Sequence, residues 1–333
     1  MSLPRSFLAG SIPALCKGLG LVGIMAYLGA LSVVQAATDC QAVTQISEIE
    51  CESLLQLYQS TDGTYWKNKR GWNVTNKPCS WHGVTCENHG VTRIDLSFSY
   101  WNDKHKLNGT LPDFRGLPHL QRLELSHNQL TGTIPDFSGL PELLTLFLSG
   151  NQLTGAIPDF SGLPELQYLS LSNNQLTGTI PDFSGLPELQ MLWLDNNQLT
   201  GAIPDFSGLP KLRELKLDRN QLTGAIPDFG SLPQLQTLDI ENNQLTGTIP
   251  DFSGLPKLLG LSLSSNKLTS AIPKFSGLPK LERLRLDNNQ LTGAIPDFSG
   301  LPQLWKLRLD KNQLTGAIPD FSGLTYLITD VTR

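Results

Sequence analysis

The side chains that could carry out acid–base chemistry are carboxylates that recur at one fixed spacing. Asp136, Asp159 and Asp182 are each 23 residues apart, and two carboxylates placed side by side could act as a general acid and a general base. A catalytic site, however, needs one distinct group of residues, and these aspartates differ only in position. The histidines are scattered from His82 to His127, with no nucleophile, base and orienting group in one pattern. The sequence therefore predicts a protein that is not an enzyme and that has no cofactor.

The N-terminal segment, residues 1–36, has the composition of an export signal. Basic residues precede an apolar run over 19–34, which ends in small residues at Ala36. This order is typical of a signal peptide, and we expect cleavage after Ala36. The alternative is an uncleaved membrane anchor over 18–37, which is just long enough to span a bilayer.

Four cysteines lie close together after this segment. They are Cys40, Cys51, Cys79 and Cys86. An even number of cysteines in an exported segment indicates two disulfides, although four cysteines permit three connectivities. A zinc site is the alternative. We discount it because the cysteines form no CxxC pair and because His82 and His89 lack ligand spacing.

The charge of the chain excludes one class of partner. The formal net charge is -5, and loss of Arg5 and Lys17 with the leader would make the exported chain more acidic. A general nucleic-acid binder would instead be basic. The glycines follow the same period as the aspartates and mark turns, so they predict no phosphate-binding loop.

A period of 23 residues organises two thirds of the chain. Phenylalanines keep this step at Phe114, Phe137, Phe160, Phe183, Phe206, Phe229, Phe252, Phe275, Phe298 and Phe321. Asparagines keep it at Asn128, Asn151, Asn174, Asn197, Asn220, Asn243, Asn266, Asn289 and Asn312. A period of 20–29 residues with leucines and an asparagine indicates stacked coils that share one extended core.

One repeat, Leu186–Gly208, shows what each part is expected to do. Its leucines alternate with variable residues around Leu192, which predicts a short strand with leucines inward and variable residues outward. Asn197 then turns the chain, and a buried column of such amides can bond the backbones of neighbouring coils. Phe206 returns inward, so the phenylalanines should stack as a spine behind the strands.

The repeat resembles the plant-type leucine-rich repeat, through the pattern L-x-x-L-x-L-x-x-N-x-L and the segment LTGxIP at Leu199–Pro204. The resemblance implies an α/β repeat solenoid, a right-handed superhelix with a concave parallel sheet, about ten repeats and a second short strand at LTGxIP. We expect the solenoid over 92–324 and a C-terminal tail over 325–333. In that tail, Asp330 and Thr332 should take the places of the next inward leucines. The unit is one residue shorter than the usual plant form.

The segment over 37–91 lacks the period and resembles the N-terminal cap of this family. That resemblance implies a disulfide between Cys79 and Cys86, which leaves Cys40 and Cys51 for the second. Ser47 and Glu50 form a capping-box pattern that predicts a helix.

Two groups of exposed residues on the concave sheet are candidate ligand-binding sites. The first combines aromatic side chains with a methionine, which suits a protein or carbohydrate contact: Phe147, Tyr168, Met191 and Trp193. The second is basic: Arg283, Arg285, Lys306 and Arg308. Asp287 and Asp310 lie among the basic residues, so charge pairs that only keep the sheet soluble are the alternative there. An aromatic loop, Phe98–Trp101, could also contact a partner or cover the cap.

The sequence thus predicts a secreted or cell-surface binding module for a protein, peptide or carbohydrate, and a monomer. Membrane association is expected only if the leader is not cleaved. A passive structural or adhesive scaffold is the alternative, since the repeats are nearly identical. A hydrolytic enzyme would need catalytic residues that we do not find. The sparse glycosylation sequons and compact cap suggest a bacterial relative of the plant proteins.

Overall fold

A computed structural model describes residues 37–97, 106–324 and 327–329. The expected leader, its cleavage site and the aromatic loop Phe98–Trp101 lie outside these residues. Among the described residues, no helix has the length and apolar character needed to cross a bilayer.

The N-terminal cap is built on one α-helix, Glu48–Ser60, and three short 3-10 helices, Cys40–Ala42, Gly63–Tyr65 and Pro78–Ser80. The predicted capping box is present: the Ser47 hydroxyl accepts from the Glu50 backbone N–H, and Glu50 accepts from the Ser47 N–H. The Glu50 carboxylate also accepts from the Val91 N–H at 2.9 Å, which ties the helix to the first strands of the sheet.

Disulfides and tryptophans give the cap its own core. Cys40 pairs with Cys51 and Cys79 pairs with Cys86, so the pairing that the resemblance implied is confirmed and the zinc alternative is wrong. Three buried tryptophans pack in contact with Tyr58 or with one another: Trp66, Trp72 and Trp81.

A large sheet of 12 strands runs along the solenoid. Its strands are Val84–Glu87, Gly90–Asp95, Arg122–Glu124, Thr145–Phe147, Tyr168–Ser170, Met191–Trp193, Glu214–Lys216, Thr237–Asp239, Gly260–Ser262, Arg283–Arg285, Lys306–Arg308 and Ile328–Thr329. The first pair is antiparallel and the following pairs are parallel. Leu192 lies opposite Leu169 and Leu215, so each coil adds one strand in the same register and buries its leucine over the previous one.

The LTGxIP segments form a second, interrupted ladder, which we call the lateral face. Its strands are Asn108–Thr110, Gln129–Thr131, Thr154–Gly155, Gln175–Leu176, Thr246–Gly247, Lys267–Leu268, Thr292–Ala294 and Gln313–Thr315. Between these strands the backbone hydrogen bonds of the ladder continue; for example, the Thr223 N–H donates to the Gly201 carbonyl at 2.8 Å. The second short strand that the resemblance implied is therefore present.

The phenylalanine spine determines which side of the solenoid is concave. Phe206 is fully buried, and its ring centroid lies 6.5 Å from that of Phe183 and 6.4 Å from that of Phe229. Paired strands are only about 4.8 Å apart. Because the coils are wider apart at the spine than at the large sheet, the sheet lines the inner, concave side, as predicted.

The asparagine column joins neighbouring coils through backbone groups. The Asn197 amide donates to the carbonyls of Leu171 and Leu194, both at 3.1 Å, and its oxygen accepts from the Leu176 N–H at 3.0 Å. The same three bonds recur along the column, for example at Asn220. The structural role predicted for these asparagines is confirmed.

The last coil departs from the expected register. The strand Ile328–Thr329 pairs with Lys306 and Leu307, and Thr329 lies opposite Leu307. The sequence-based placement of Asp330 opposite Leu307 is therefore wrong by one residue. The reason is that this strand begins directly after Leu327, whereas one residue, Trp305, separates the equivalent Leu304 from the strand Lys306–Arg308.

Candidate functional site

The aromatic candidates converge on neighbouring strands of the concave sheet. Phe147 and Trp193 both lie opposite Ser170, on either side of it. The backbones of the two residues are therefore two strand spacings apart, about 10 Å, with a small buried side chain between them. We call this arrangement the aromatic slot: its walls are Phe147 and Trp193 and its floor is Ser170.

The other two aromatic-patch residues lie beside the slot. Tyr168 is opposite Met191 and is one of the few large apolar side chains that remain exposed, at 37%. The structure thus brings all four predicted residues together on three adjacent strands. Their role in binding remains a prediction.

The slot opens into a cavity of about 310 Å³. Trp193 is fixed there by the neighbouring strand, because the Lys216 ammonium lies 4.0 Å from the Trp193 ring centroid and the Trp193 indole N–H donates to Glu214 at 3.2 Å. Lys216 also lines the cavity, and polar groups that follow the strands line the remainder: Ser126, His127, Ser149, Ser172, Asn173 and Asp195. Sequence analysis missed these six residues, although their place in the repeat, two or three positions after a strand, was visible.

The basic candidates surround a second cavity, of about 350 Å³. It exists because Gly260 has no side chain in a column that is elsewhere filled, and Gly260 lies directly opposite Arg283. Arg283 in turn lies opposite Lys306, and Arg285 opposite Arg308. Arg283, Arg285 and Lys306 line the cavity, which we call the Gly260 depression.

Arg285 differs from its basic neighbours because it is paired. Its guanidinium lies 2.9 Å from the buried carboxylate of Glu241, which also accepts from the Ser262 hydroxyl at 2.7 Å. Arg285 is thus held in a charge pair, but its partner is Glu241 and not Asp287 or Asp310, which the sequence places among the basic residues. Among the described residues, Arg283 and Lys306 have no ion-pair partner, so they are available to an acidic ligand.

Two aspartates near the depression hold their protons unusually tightly. Burial, together with the neighbouring carboxylates of Asp239 and Asp195, raises the pKa of Asp218 to about 7. Burial, followed by the charge of Glu241, raises the pKa of Asp239 to about 6. Of the two, only Asp239 lines the depression, and with a pKa of about 6 it becomes protonated, and the depression more positive, as the pH falls below 6.

Comparison with known families agrees with this architecture. The profile "Leucine rich repeat" matches residues 113–153, 233–291 and 274–314, and "Leucine Rich repeats (2 copies)" matches 164–209 and 187–231. "Leucine rich repeat N-terminal domain" matches 50–87. The chain belongs to the leucine-rich repeat family, in its plant-type form with the corresponding N-terminal cap.

Two individual relatives come from Arabidopsis. A probable leucine-rich repeat receptor-like protein kinase of Arabidopsis thaliana is 35% identical over 82 residues, which are 25% of this chain and 11% of the kinase. The Arabidopsis receptor kinase HAESA, solved with the peptide hormone IDA and the co-receptor SERK1, is 34% identical; the match covers 84% of this chain and 48% of that one, with a TM-score of 0.73. The chain therefore spans about a tenth of the kinase and about half of the HAESA chain.

A third relative matches along most of its own length. A plant ice-binding protein of known structure is 30% identical, and the match covers 83% of this chain and 90% of that one, with a TM-score of 0.72. These plant relatives give no support to the predicted bacterial origin, which remains a prediction.

Proposed function

We propose that this protein is an extracellular recognition module that binds a peptide or a protein segment along its concave sheet. The observation that carries the proposal is where the repeats differ. The outward positions between the inner strand leucines change from coil to coil: Glu124, Phe147, Ser170, Trp193, Lys216, Asp239, Ser262, Arg285 and Arg308. On the lateral face, by contrast, Gln-Leu-Thr-Gly recurs from Gln129 to Gly316 with one exception at 267–270.

The position of the two cavities suggests the kind of ligand. The aromatic slot and the Gly260 depression are separated by three strand spacings between Trp193 and Gly260, about 14 Å. An extended peptide rises about 3.3 Å per residue, so some four residues would connect them. Such a peptide would place an acidic group against Arg283 and Lys306. The complex of HAESA with a peptide hormone supports this ligand class.

The remaining attributes follow from this proposal. Two disulfides in the cap favour an oxidising, extracellular compartment, and secretion through the leader with cleavage after Ala36 remains part of the proposal. We expect a monomer without catalytic activity. A passive scaffold is the alternative, and it would leave the variable positions without a ligand.

A peptide-display experiment tests the proposal. Random peptides selected on the full chain should be enriched in acidic residues, and the joint variant Arg283→Ala/Lys306→Ala should weaken their binding at least tenfold. The expected cause is loss of charge-assisted hydrogen bonds to the ligand. Dissociation constants from calorimetry are the measurement.

The matched control removes the same charge elsewhere, in Lys267→Ala/Lys280→Ala, where both side chains are exposed away from the concave sheet. It should bind the selected peptides as the wild type does. If no peptide is enriched, or if both double variants bind the selected peptides equally well, the concave sheet is not the binding surface. The passive scaffold is then the better interpretation.

A second candidate function is adsorption to ice, which the plant ice-binding relative supports. From Gln129 to Thr315 the lateral face presents glutamine and threonine columns at a constant step of about 4.8 Å, in which Lys267 is the only charged member. Thr200 is exposed, and its hydroxyl donates to the Gly178 carbonyl at 3.3 Å, which fixes its rotamer. A rigid, uncharged array of this kind could order water in register with an ice lattice.

Thermal hysteresis of the purified chain tests this candidate. We expect slowed ice growth that falls at least tenfold in Thr177→Lys/Thr200→Lys/Thr223→Lys, because strongly hydrated ammonium groups would break the array. The control is Ser161→Lys/Ser184→Lys/Ser207→Lys, on exposed turns beside the phenylalanine spine. Both variants should keep the melting temperature of the wild type. Adsorption by the lateral face is excluded if the wild type shows no hysteresis, or if the two variants show equal hysteresis.

A further inference from the structure

We infer that the aromatic slot is a subsite for a single neutral pyranose ring of gluco configuration, as found in a β-1,4-linked glucan. This inference rests on the proposed role of the concave sheet as the ligand-binding surface. It adds a second class of ligand, a sugar, which would bind in the aromatic slot and not in the Gly260 depression.

The spacing of the walls fits a ring held between two aromatic faces. The strands that carry Phe147 and Trp193 are about 10 Å apart across the sheet, and the small side chain of Ser170 lies between them. A carbon skeleton in contact with an aromatic face sits about 4 Å from it. One sugar ring stacked against both walls therefore needs about 8 Å, and a cavity of about 310 Å³ accommodates it.

The walls are held in place before a ligand arrives. The Lys216 ammonium lies 4.0 Å from the Trp193 ring centroid, and Glu214 accepts from the Trp193 indole N–H at 3.2 Å. A fixed wall lowers the entropy that binding must overcome, which is what small, weakly binding ligands such as sugars require.

The polar groups at the end of the slot distinguish a sugar from an apolar side chain. The Ser149 and Ser170 hydroxyls are hydrogen-bonded to each other at 2.5 Å, and Ser172 donates to Asp195. Asn173 accepts from the Asn196 amide at 2.7 Å through its oxygen, which leaves its own N–H groups to donate. An apolar ligand would strip water from these groups without replacing it, whereas sugar hydroxyls can both donate and accept.

The presence of two walls predicts the stereochemistry. In a β-gluco pyranose every ring substituent is equatorial, so both faces of the ring present only C–H groups. A galacto pyranose carries an axial hydroxyl at C4, which would place a polar group against one aromatic wall. A single exposed aromatic face would accept either sugar, but a slot with two walls should select the gluco form.

Calorimetry with cellotetraose tests the inference. We expect a dissociation constant of about 1 mM or tighter, and binding at least fivefold weaker for β-1,4-galactotetraose. Trp193→Ala should weaken cellotetraose binding at least tenfold. Ser170→Phe is the sharper variant: it adds an aromatic ring to the patch but fills the slot, so it should abolish binding, whereas a flat aromatic patch would bind as well or better.

Tyr65→Ala removes an exposed aromatic ring from the cap and is the control that should bind cellotetraose normally. Only variants that keep the wild-type melting temperature are compared. If Ser170→Phe fails to fold, Phe147→Ala, which removes one wall of the slot, takes its place. Equal affinity for the two tetrasaccharides, unchanged binding by Ser170→Phe, or no binding by the wild type would overturn the inference. The proposed function would stand in that case if binding of the display-selected peptides still requires Arg283, because the Arg283→Ala/Lys306→Ala test does not alter the slot.

Discussion

Replacing Asn197 by leucine is expected to lower the free energy of unfolding by about 3–5 kcal/mol. Leucine has as many side-chain heavy atoms as asparagine but leaves the buried N–H of Leu176 without a partner. It also removes one of the two amide donors from each of the carbonyls of Leu171 and Leu194, which keep their bonds to Asn174 and Asn220. An unpaired buried N–H costs about 1–3 kcal/mol, and each lost hydrogen bond costs about 0.5–1.5 kcal/mol more. Urea unfolding followed by tryptophan fluorescence is the measurement.

Gln198→Leu is the matched control, because Gln198 is the exposed neighbour of Asn197 in the same turn. Its effect should stay within about 0.5 kcal/mol, as is usual for surface substitutions. A loss below about 1 kcal/mol in Asn197→Leu would mean that the asparagine column contributes little and that packing of leucines alone joins the coils.

Replacing Phe206 by alanine is expected to destabilise the protein by about 3–5 kcal/mol, the range for deleting a buried aromatic ring. The ring is fully buried between Phe183 and Phe229. Because coils of a solenoid depend on their neighbours, the gap should weaken two interfaces at once. Thermal and urea unfolding report the loss.

The backbone conformation at Phe206 provides a second test, which separates backbone strain from the loss of packing. Phe206 has φ of 52°, in the left-handed region that disfavours residues with a side chain by about 1–2 kcal/mol. Phe206→Gly should therefore be at least as stable as Phe206→Ala, although glycine usually destabilises relative to alanine. If the glycine variant is clearly less stable, the conformation of the spine is not strained.

The scaffold could be predicted from the sequence because each coil repeats the same physical problem. The leucine alternation, Asn197 and Phe206 all take the roles that their spacing indicates, and the resemblance of the cap implied the pairing of Cys79 with Cys86. The last coil is the exception: its strand starts one residue early, and the 23-residue period contains no information about a shortened coil.

The candidate sites were predicted only in part, because they arise between coils rather than within one. Phe147 and Trp193 were recognised as neighbours, but the slot depends on the small residue between them, Ser170, which has no distinguishing signal of its own. The Gly260 depression likewise depends on a missing side chain beside Arg283. The raised pKa of Asp218 reflects burial among carboxylates of other coils, which a linear sequence does not reveal.

The most direct test of the account is hydroxyl-radical footprinting of the full chain with and without a display-selected peptide. The central claim is that the concave sheet is the recognition surface. It predicts that the peptide lowers labelling of Tyr168, Met191 and Trp193, while Tyr65, 83% exposed on the cap, is labelled as before. Unchanged labelling of the three concave residues, with protection elsewhere on the chain, would contradict it.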